Sequence, residues 1–149
     1  MNVKIICKNQ RAGYDYFLEE KYECGVVLVG TEVKSLRQGK GKIDESYVVI
    51  DSAGEAWLQN CTIPHYDFGN INNHPETRKR KLLLNKEEIY QIEKRMAVKG
   101  YTLIPLALYF KESRVKCEIA LAKGKKLYDK RDTAAKKDVE RKLRQGKYE

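Results

Sequence analysis

Three groups of cations carry the strongest chemical signal in this chain: Lys34, Arg37 and Lys40; Arg78, Lys79, Arg80 and Lys81; and Lys123, Lys125 and Lys126. Clustered lysine and arginine neutralise phosphates and release counterions. Lys34 and Arg37 are three apart, so on a helix they share a face and can straddle a phosphate backbone. Among the ten tyrosines, Tyr14, Tyr16, Tyr22 and Tyr128 stand near charges, and Tyr128, inside a basic stretch, is the best candidate for stacking on a base. Other chemistry is poorly served. His65 and His74 share one loop with Pro64, Asp67 and Pro75, with nothing that sets an acid and a base across a phosphate. Gly124-Lys125-Lys126 lacks the glycine-rich approach and the Ser or Thr of a phosphate loop. Glu19, Glu20 and Glu23 have no second acidic cluster to complete a two-metal site. Cys7, Cys24, Cys61 and Cys117 lie too far apart for a zinc site or a redox dithiol, and their apolar neighbours mark them as buried free thiols. No catalysis, metal or cofactor is expected.

The whole-chain charge agrees with the clusters. A net +9 and a pI near 9.3 over 149 residues point to a polyanionic partner, nucleic acid first. A membrane is a poor second, because no stretch approaches the ~18 apolar residues of a spanning helix and no lipidation motif is present. The first residues lack the pattern of a signal peptide, so a cytoplasmic protein is expected.

To position those cations, residues 3–122 read as short β-type runs with two inserted helices. The runs are 3–7, 14–19, 24–29, 46–50, 56–62, 101–110 and 114–122. A first helix is predicted over 31–38, with Thr31 as N-cap and Gly39 past its end. A second starts at Asn85, whose side chain caps it while Glu88 reaches back, and runs to Gly100 with Ile89, Ile92 and Met96 on one face. Asp51, Ser52 and Gly54 fit a tight hairpin turn. In the run 114–122, Val115, Cys117, Ile119 and Leu121 alternate with Lys116, Glu118 and Ala120, as in a half-buried strand. Pro105 lacks the amide hydrogen of a central ladder and predicts an edge or a bulge. This pattern suits a mainly β fold with inserted helices, an antiparallel Greek-key barrel like the oligonucleotide-binding (OB) fold, built as a single domain that leads to a monomer.

Composition changes after Ala122. Residues 123–149 hold eleven Lys or Arg against five Asp or Glu, with few apolar groups beyond Leu127, Val139 and Leu143. Such a segment cannot bury enough surface to order itself. The chain therefore divides into an RNA-binding barrel, 1–122, and a basic tail, 123–149, disordered when free and helical only against a partner.

Several stretches together resemble a known family. Asn9-Gln-Arg-Ala-Gly-Tyr-Asp-Tyr-Phe-Leu-Glu-Glu20, Gly30-Thr-Glu-Val-Lys-Ser-Leu-Arg-Gln-Gly-Lys40 and Gly124-Lys-Lys-Leu-Tyr-Asp-Lys-Arg131 are similar to signatures of the small protein B (SmpB) family, bacterial partners of transfer-messenger RNA. Asp44-Glu-Ser-Tyr-Val48, Thr77-Arg-Lys-Arg-Lys-Leu-Leu-Leu84 and Gly100-Tyr-Thr-Leu103 extend the likeness over nearly the whole chain. The resemblance implies a non-catalytic OB-type barrel that holds the tRNA-like domain of transfer-messenger RNA and delivers it to stalled ribosomes for trans-translation. It implies a tail that enters the message channel near the decoding centre and becomes helical there, and an association with elongation factor Tu and alanyl-tRNA synthetase through the shared RNA.

By position, the resemblance implies RNA contacts at Asn9 and Glu23, with Lys34 and Arg37 as their neighbours; Arg11, Lys40, Arg78, Lys79, Arg80 and Lys81 are expected to complete the RNA-binding surface. Glu23 repels phosphate, so its expected role is to accept hydrogen bonds from base amino groups or to orient a nearby Arg. Lys123, Gly124, Lys125, Lys126, Tyr128, Asp129, Lys130 and Arg131 match the family's ribosome-acting segment. Gly13-Tyr14 departs from the basic residue and histidine common in the family. Competing expectations are a general single-strand binder, a nuclease using His65 and His74, and a ribosomal protein present in every particle.

Overall fold

The computed structural model describes residues 3–66, 73–98 and 100–126. Its elements are β1 (Val3–Lys8), α1 (Ala12–Asp15), β2 (Tyr16–Val26), α2 (Gly30–Arg37), β3 (Tyr47–Ile50), β4 (Ala56–Gln59), β5 (Arg80–Leu83), α3 (Lys86–Met96), β6 (Tyr101–Lys111) and β7 (Arg114–Gly124). The strands pair antiparallel in the order β1-β6-β3-β4-β5-β2-β7, and a further β6–β7 pairing closes the sheet on itself. β1 and β3 share one edge of β6: β1 runs beside residues 107–111, and β3 meets β6 at Leu103. The result is the small closed antiparallel barrel that the sequence predicts.

The barrel interior comes from alternation corrected by bulges. In β7, Val115, Cys117, Ile119 and Leu121 are at most 7% exposed and face inward. Leu103 and Leu108 on β6 are also buried, yet five residues apart they would fall on opposite faces of a regular strand. A register shift between Pro105 and Ala107 restores them to one face. Pro105 therefore stands at a bulge inside a fully paired strand, not at an edge. The predicted runs 14–19 and 24–29 are one strand, β2, with a bulge between Leu18 and Lys21 at the apparent break. β7 also runs to Gly124, two residues past the change in composition, and Lys123 pairs with both Phe17 and Tyr101.

Glu32 fixes the first long helix. Thr31 is not the N-cap, because the helix begins one residue earlier and Val29 holds that place. The Glu32 carboxylate accepts the Val29 backbone N–H at 2.9 Å, and the Thr31 hydroxyl is instead 2.8 Å from Nδ1 of His74. The remaining capacity of Glu32 goes to two arginines. Arg78 reaches it at 2.5 and 3.2 Å, and Arg80 Nε donates at 2.6 Å. The Arg80 side chain has no solvent exposure and directs its other donors at the carbonyls of Cys61, Arg78, Pro75 and Glu76. All five guanidinium donors are thus used. The expected phosphate contact at Arg80 is corrected accordingly: alternation along β5, which the sequence reading missed as a strand, turns Arg80 and Leu82 inward.

Other local signals hold. Asn85 accepts the Glu88 N–H at 3.0 Å, and Glu88 reaches back to Asn85 at 3.3 Å, which starts α3. Asp51 accepts the N–H groups of Ala53 and Glu55 in the β3–β4 turn. Cys24, Cys61 and Cys117 are fully buried and all four thiols are free. Burial pushes the Cys24 thiol up to about 12 and the Cys61 thiol up to about 11, which makes them inert. Among the described residues, no group of three or more His, Cys, Asp or Glu could hold a metal ion, and no helix is long and apolar enough to cross a membrane.

Desolvation raises the pKa of Glu32, but its bonds with Arg78, Val29 and Arg80 together outweigh burial and hold it below the ordinary 4.5. A lowered carboxyl pKa contributes stability that is present above the unfolded value and lost as pH falls through the folded one. Glu32→Gln is therefore expected to flatten the decline in unfolding free energy below pH 4.5. Glu32→Ala, which strands Arg80 in the core, should cost about 3–5 kcal/mol; urea unfolding measures both.

Candidate nucleic-acid interface

Register gathers charged groups that are scattered in the sequence onto one outer face of the barrel. Directly opposed residues share a face, and three rows run across β1, β6, β7 and β2. Val3, Lys111 and Arg114 form the first; Ile5, Tyr109, Lys116, Gly25 and, on β5, Leu83 the second; Lys8, Ala107, Glu118 and Glu23 the third. Four strands at their usual spacing place the ends of that third row about 14 Å apart.

The β6–β7 turn sharpens this face. Its two central residues, Glu112 and Ser113, have φ of 51° and 68°, the positive values of a type I′ turn and ones that favour Asn and Gly. Glu-Ser carries strain there. The turn sets Lys111 and Arg114 opposite each other at the rim of an open cleft of about 440 Å³, lined by Glu23, Lys111, Glu112, Arg114 and Lys116. A second cleft of about 270 Å³ adjoins it and shares Arg114 and Lys116, but its floor is apolar, with Val26, Leu28, Val33 and Leu83. Leu83 is 53% exposed. It can lie across β2 because position 25 is glycine: a Cβ there would stand 3.3 Å from the Leu83 side chain. Val33 and Arg37 are four apart on α2, so Arg37 follows the helix face that borders the apolar cleft.

Three carboxylates stand in this setting, Glu23, Glu112 at the turn and Glu118 opposite Glu23 on β7, and Glu23 is the one the fold holds by a tyrosine. Its Oε2 accepts a very short hydrogen bond from the Tyr109 hydroxyl, and the Lys111 ammonium lies 3.3 and 3.4 Å from its two oxygens. The Tyr109 bond is the main cause that lowers the Glu23 pKa, with Lys111 and Lys116 assisting against desolvation. Burial and the Glu23 charge push the Tyr109 phenol well above its ordinary value. The carboxylate is therefore ionised and held by its rigid neighbour. Sequence reasoning expected an arginine beside Glu23; the cation there is instead a lysine, Lys111 on β6.

The other predicted residues divide. Asn9 is tied to β6, its Nδ2 donating to the Pro105 carbonyl at 3.3 Å and its backbone N–H to Leu106 at 2.8 Å; it ends the strand that contributes Lys8 to the third row. Arg11 is exposed, pairs with Asp15 and lies 5.2 Å from the centre of the Tyr14 ring. Lys34 stands 5.6 Å over Tyr66, and Arg37 is exposed, whereas Lys40 is half-buried. Of the run 78–81, Lys79 lies 4.5 Å over Trp57 and Lys81 pairs with Glu55 on the outer face, while Arg78 joins Glu32. Lys125 donates to the Gly13 carbonyl at 2.9 Å and covers Phe17, and Lys123, Gly124 and Lys126 are exposed beside it. Tyr128, Asp129, Lys130 and Arg131 lie outside the described residues. His74 is buried, with Nε2 donating to the Ile63 carbonyl at 2.8 Å and Nδ1 engaged by Thr31, so neither nitrogen serves as a base.

Sequence reasoning missed Lys111, Arg114, Lys116, Tyr109 and Leu83 as site residues. The outward positions of the predicted hairpin contained the signal, but which strand lies beside it did not follow. Chemically, the face joins cations for phosphates, a fixed carboxylate for base N–H groups and an apolar floor for a nucleobase.

The family model described as SmpB protein matches residues 6–148. A relative in Geotalea uraniireducens, named SsrA-binding protein, is 54% identical over 141 residues, covering 95% of this chain and 93% of that protein. A protein of the same name in a Nocardioides species is 54% identical over 142 residues, covering 95% of this chain and 89% of its own length. A solved structure described as "tmRNA-SmpB: a journey to the center of the bacterial ribosome" contains a chain that matches with a TM-score of 0.68 at 43% identity, over 81% of this chain and 85% of that one.

Each phosphate contact contributes about 0.7–0.9 to the slope of log affinity against log salt. Replacing both Lys111 and Lys116 by Ala is expected to reduce that slope for RNA by about one to two, with urea unfolding unchanged. Filter binding at several salt concentrations measures it.

Proposed function

The chain belongs to the SmpB protein family, and on that premise we propose that it binds transfer-messenger RNA and acts with it on the ribosome in trans-translation. One observation carries the reading: relatives named SsrA-binding protein share about half of their residues with this chain over nearly its full length. The outer face around Glu23 and the β6–β7 hairpin supports it chemically, because phosphate-neutralising cations surround a hydrogen-bond acceptor there.

In this reading the barrel holds the tRNA-like domain and recognises its folded shape, with Asn9, Arg11, Glu23, Lys34, Arg37, Lys40, Lys79 and Lys81 joined by Lys111, Arg114 and Lys116 at the interface. Arg80 acts from inside, and the half-buried Arg78 beside it, by fixing α2. The segment from Lys123 to Arg131 serves the decoding centre and message channel, and its first residues, Lys123 and Gly124, are anchored as the end of β7. Elongation factor Tu and alanyl-tRNA synthetase meet the chain through the shared RNA. The protein works as a monomer in the cytoplasm and catalyses nothing; the engagement of both His74 nitrogens in the fold supports that part.

The division of labour has a direct test. Asp129→Ala combined with Lys130→Ala is expected to leave the affinity for transfer-messenger RNA within about twofold, since in this reading the barrel carries the RNA contacts and the tail acts on the ribosome, and to abolish tagging of stalled chains in a reconstituted translation system. Loss of both properties together would overturn the division. RNA cleaved on incubation with the wild-type chain would overturn the non-catalytic assignment.

A further inference from the structure

The arrangement around Glu23 does more than attract RNA. A cleft that only neutralised phosphates would be lined by cations alone, and a carboxylate in it would reduce affinity. Here two carboxylates, Glu23 and Glu112, line it, and the fold holds Glu23 in place. The Tyr109 hydroxyl donates to Oε2 from a ring that is only 8% exposed. Glu23 itself faces solvent, with 41% of its side chain exposed. Such a group is presented to a ligand.

The ligand's chemistry follows from what the carboxylate offers. Each oxygen has two lone-pair directions. Tyr109 takes one on Oε2. The edge shared by both oxygens is occupied in the free protein by the Lys111 ammonium, which straddles it at 3.3 and 3.4 Å. These distances are long for charged hydrogen bonds, and lysine has a flexible stem, so a better donor pair can displace it. A ligand entering this edge needs two adjacent, parallel N–H donors.

Among the four RNA bases, guanine alone has two neighbouring donors on its Watson–Crick edge, N1–H and the N2 amino group. Adenine and cytosine pair one amino group with an acceptor, and uracil has one N–H flanked by carbonyls. An acceptor facing a carboxylate is repelled. Guanine's O6, next to N1–H, would meet the displaced Lys111 ammonium, while Arg114 and Lys116 stand ready for the flanking phosphates and the apolar floor at Leu83 for a ring face.

We propose that the Glu23 cleft is a guanine-selective subsite for an unpaired nucleotide, with Glu23 as the discriminating acceptor, Lys111 as its exchangeable partner and Tyr109 as the positioning residue. The proposal rests on the RNA-binding reading above and names which base that reading places at this face.

The test compares RNA pentamers that carry one guanosine, inosine or adenosine among four uridines, titrated at low salt into the full chain and followed by amide chemical shifts. Inosine differs from guanosine only in lacking the N2 amino group. Guanosine is expected to bind about tenfold more tightly than inosine, the worth of one hydrogen bond to a charged acceptor at a partly exposed site, and adenosine more weakly than either. Glu23→Gln should bring the guanosine and inosine affinities to within about twofold. Tyr109→Phe, which keeps the ring and removes the donor, should reduce the ratio without shifting the urea midpoint, whereas a purely structural Tyr109 would leave the ratio untouched. Equal affinities for guanosine and inosine, or no shifts at residues 23, 111, 114 and 116 with any pentamer, would overturn the proposal. A parallel titration with transfer-messenger RNA separates the two readings: tight binding there with no guanosine preference refutes the subsite alone, and no binding there refutes the function beneath it.

Discussion

The buried ion triad of Glu32, Arg78 and Arg80 is the constraint on which the rest of the molecule depends. A carboxylate and a guanidinium without solvent exposure cost several kcal/mol each to desolvate, and they persist only where geometry and hydrogen bonds offset that cost. Here the offset is complete: Glu32 also closes the first turn of α2, and Arg80 ties β5 to the carbonyls of Cys61, Pro75 and Glu76. One set of bonds therefore fixes the orientation of a helix, the start of a strand and both stems of the loop between β4 and β5. His74 repeats the same link through Thr31 and Ile63. An apolar substitute of equal volume could fill the space, but it would not set the helix axis against the strand, which is what aligns Val33 and Arg37 with the cleft.

Closure of the barrel does the second part. Because β6 pairs with β7 while the same β7 pairs with β2, residues nearly ninety positions apart, such as Glu23 and Tyr109, meet on one face. The bulges decide which side chains are in those rows. Without the shift at Pro105, Tyr109 would turn toward the core and Leu108 outward, and Glu23 would lose its donor. The proline that appears to weaken the strand is thus part of what places the site.

Much of this was legible in the sequence, and the omissions have physical causes. Local signals held because each is complete within a few residues: Asn85 with Glu88, Asp51 with its turn, the alternation from Val115 to Leu121. β5 was missed because Arg80 in an inward position mimics a surface cation; only a carboxylate 48 residues away makes its burial possible, and no local pattern encodes that partner. The same cause turned a presumed phosphate ligand into a structural one. Family signatures pointed to Asn9 and Glu23, but not to Lys111, Arg114 or Lys116, because membership of a row depends on register and register depends on bulges. The tail residues Tyr128 to Arg131 carry the family pattern and lie beyond the described structure.

Charge and specificity are separate quantities on this surface. Most of the net positive charge, +6 of +9, lies in residues 123–149, and charge by itself attracts any polyanion; it raises encounter rates and affinity with no preference among sequences or shapes. A carboxylate inside that field is a local loss of attraction, retained where the fold orders it and ionises it. Glu23 meets both conditions through Tyr109. Its cost in phosphate attraction is recovered only by a ligand with matching donors, which is how a weakly repulsive group becomes a discriminating one. The strained Glu112-Ser113 turn acts in the same direction, since it sets Lys111 and Arg114 opposite each other in the cleft that Glu23 also lines. A polyanion of any kind can approach the rim, but only one with a hydrogen-bonding edge of the right pattern can use the middle.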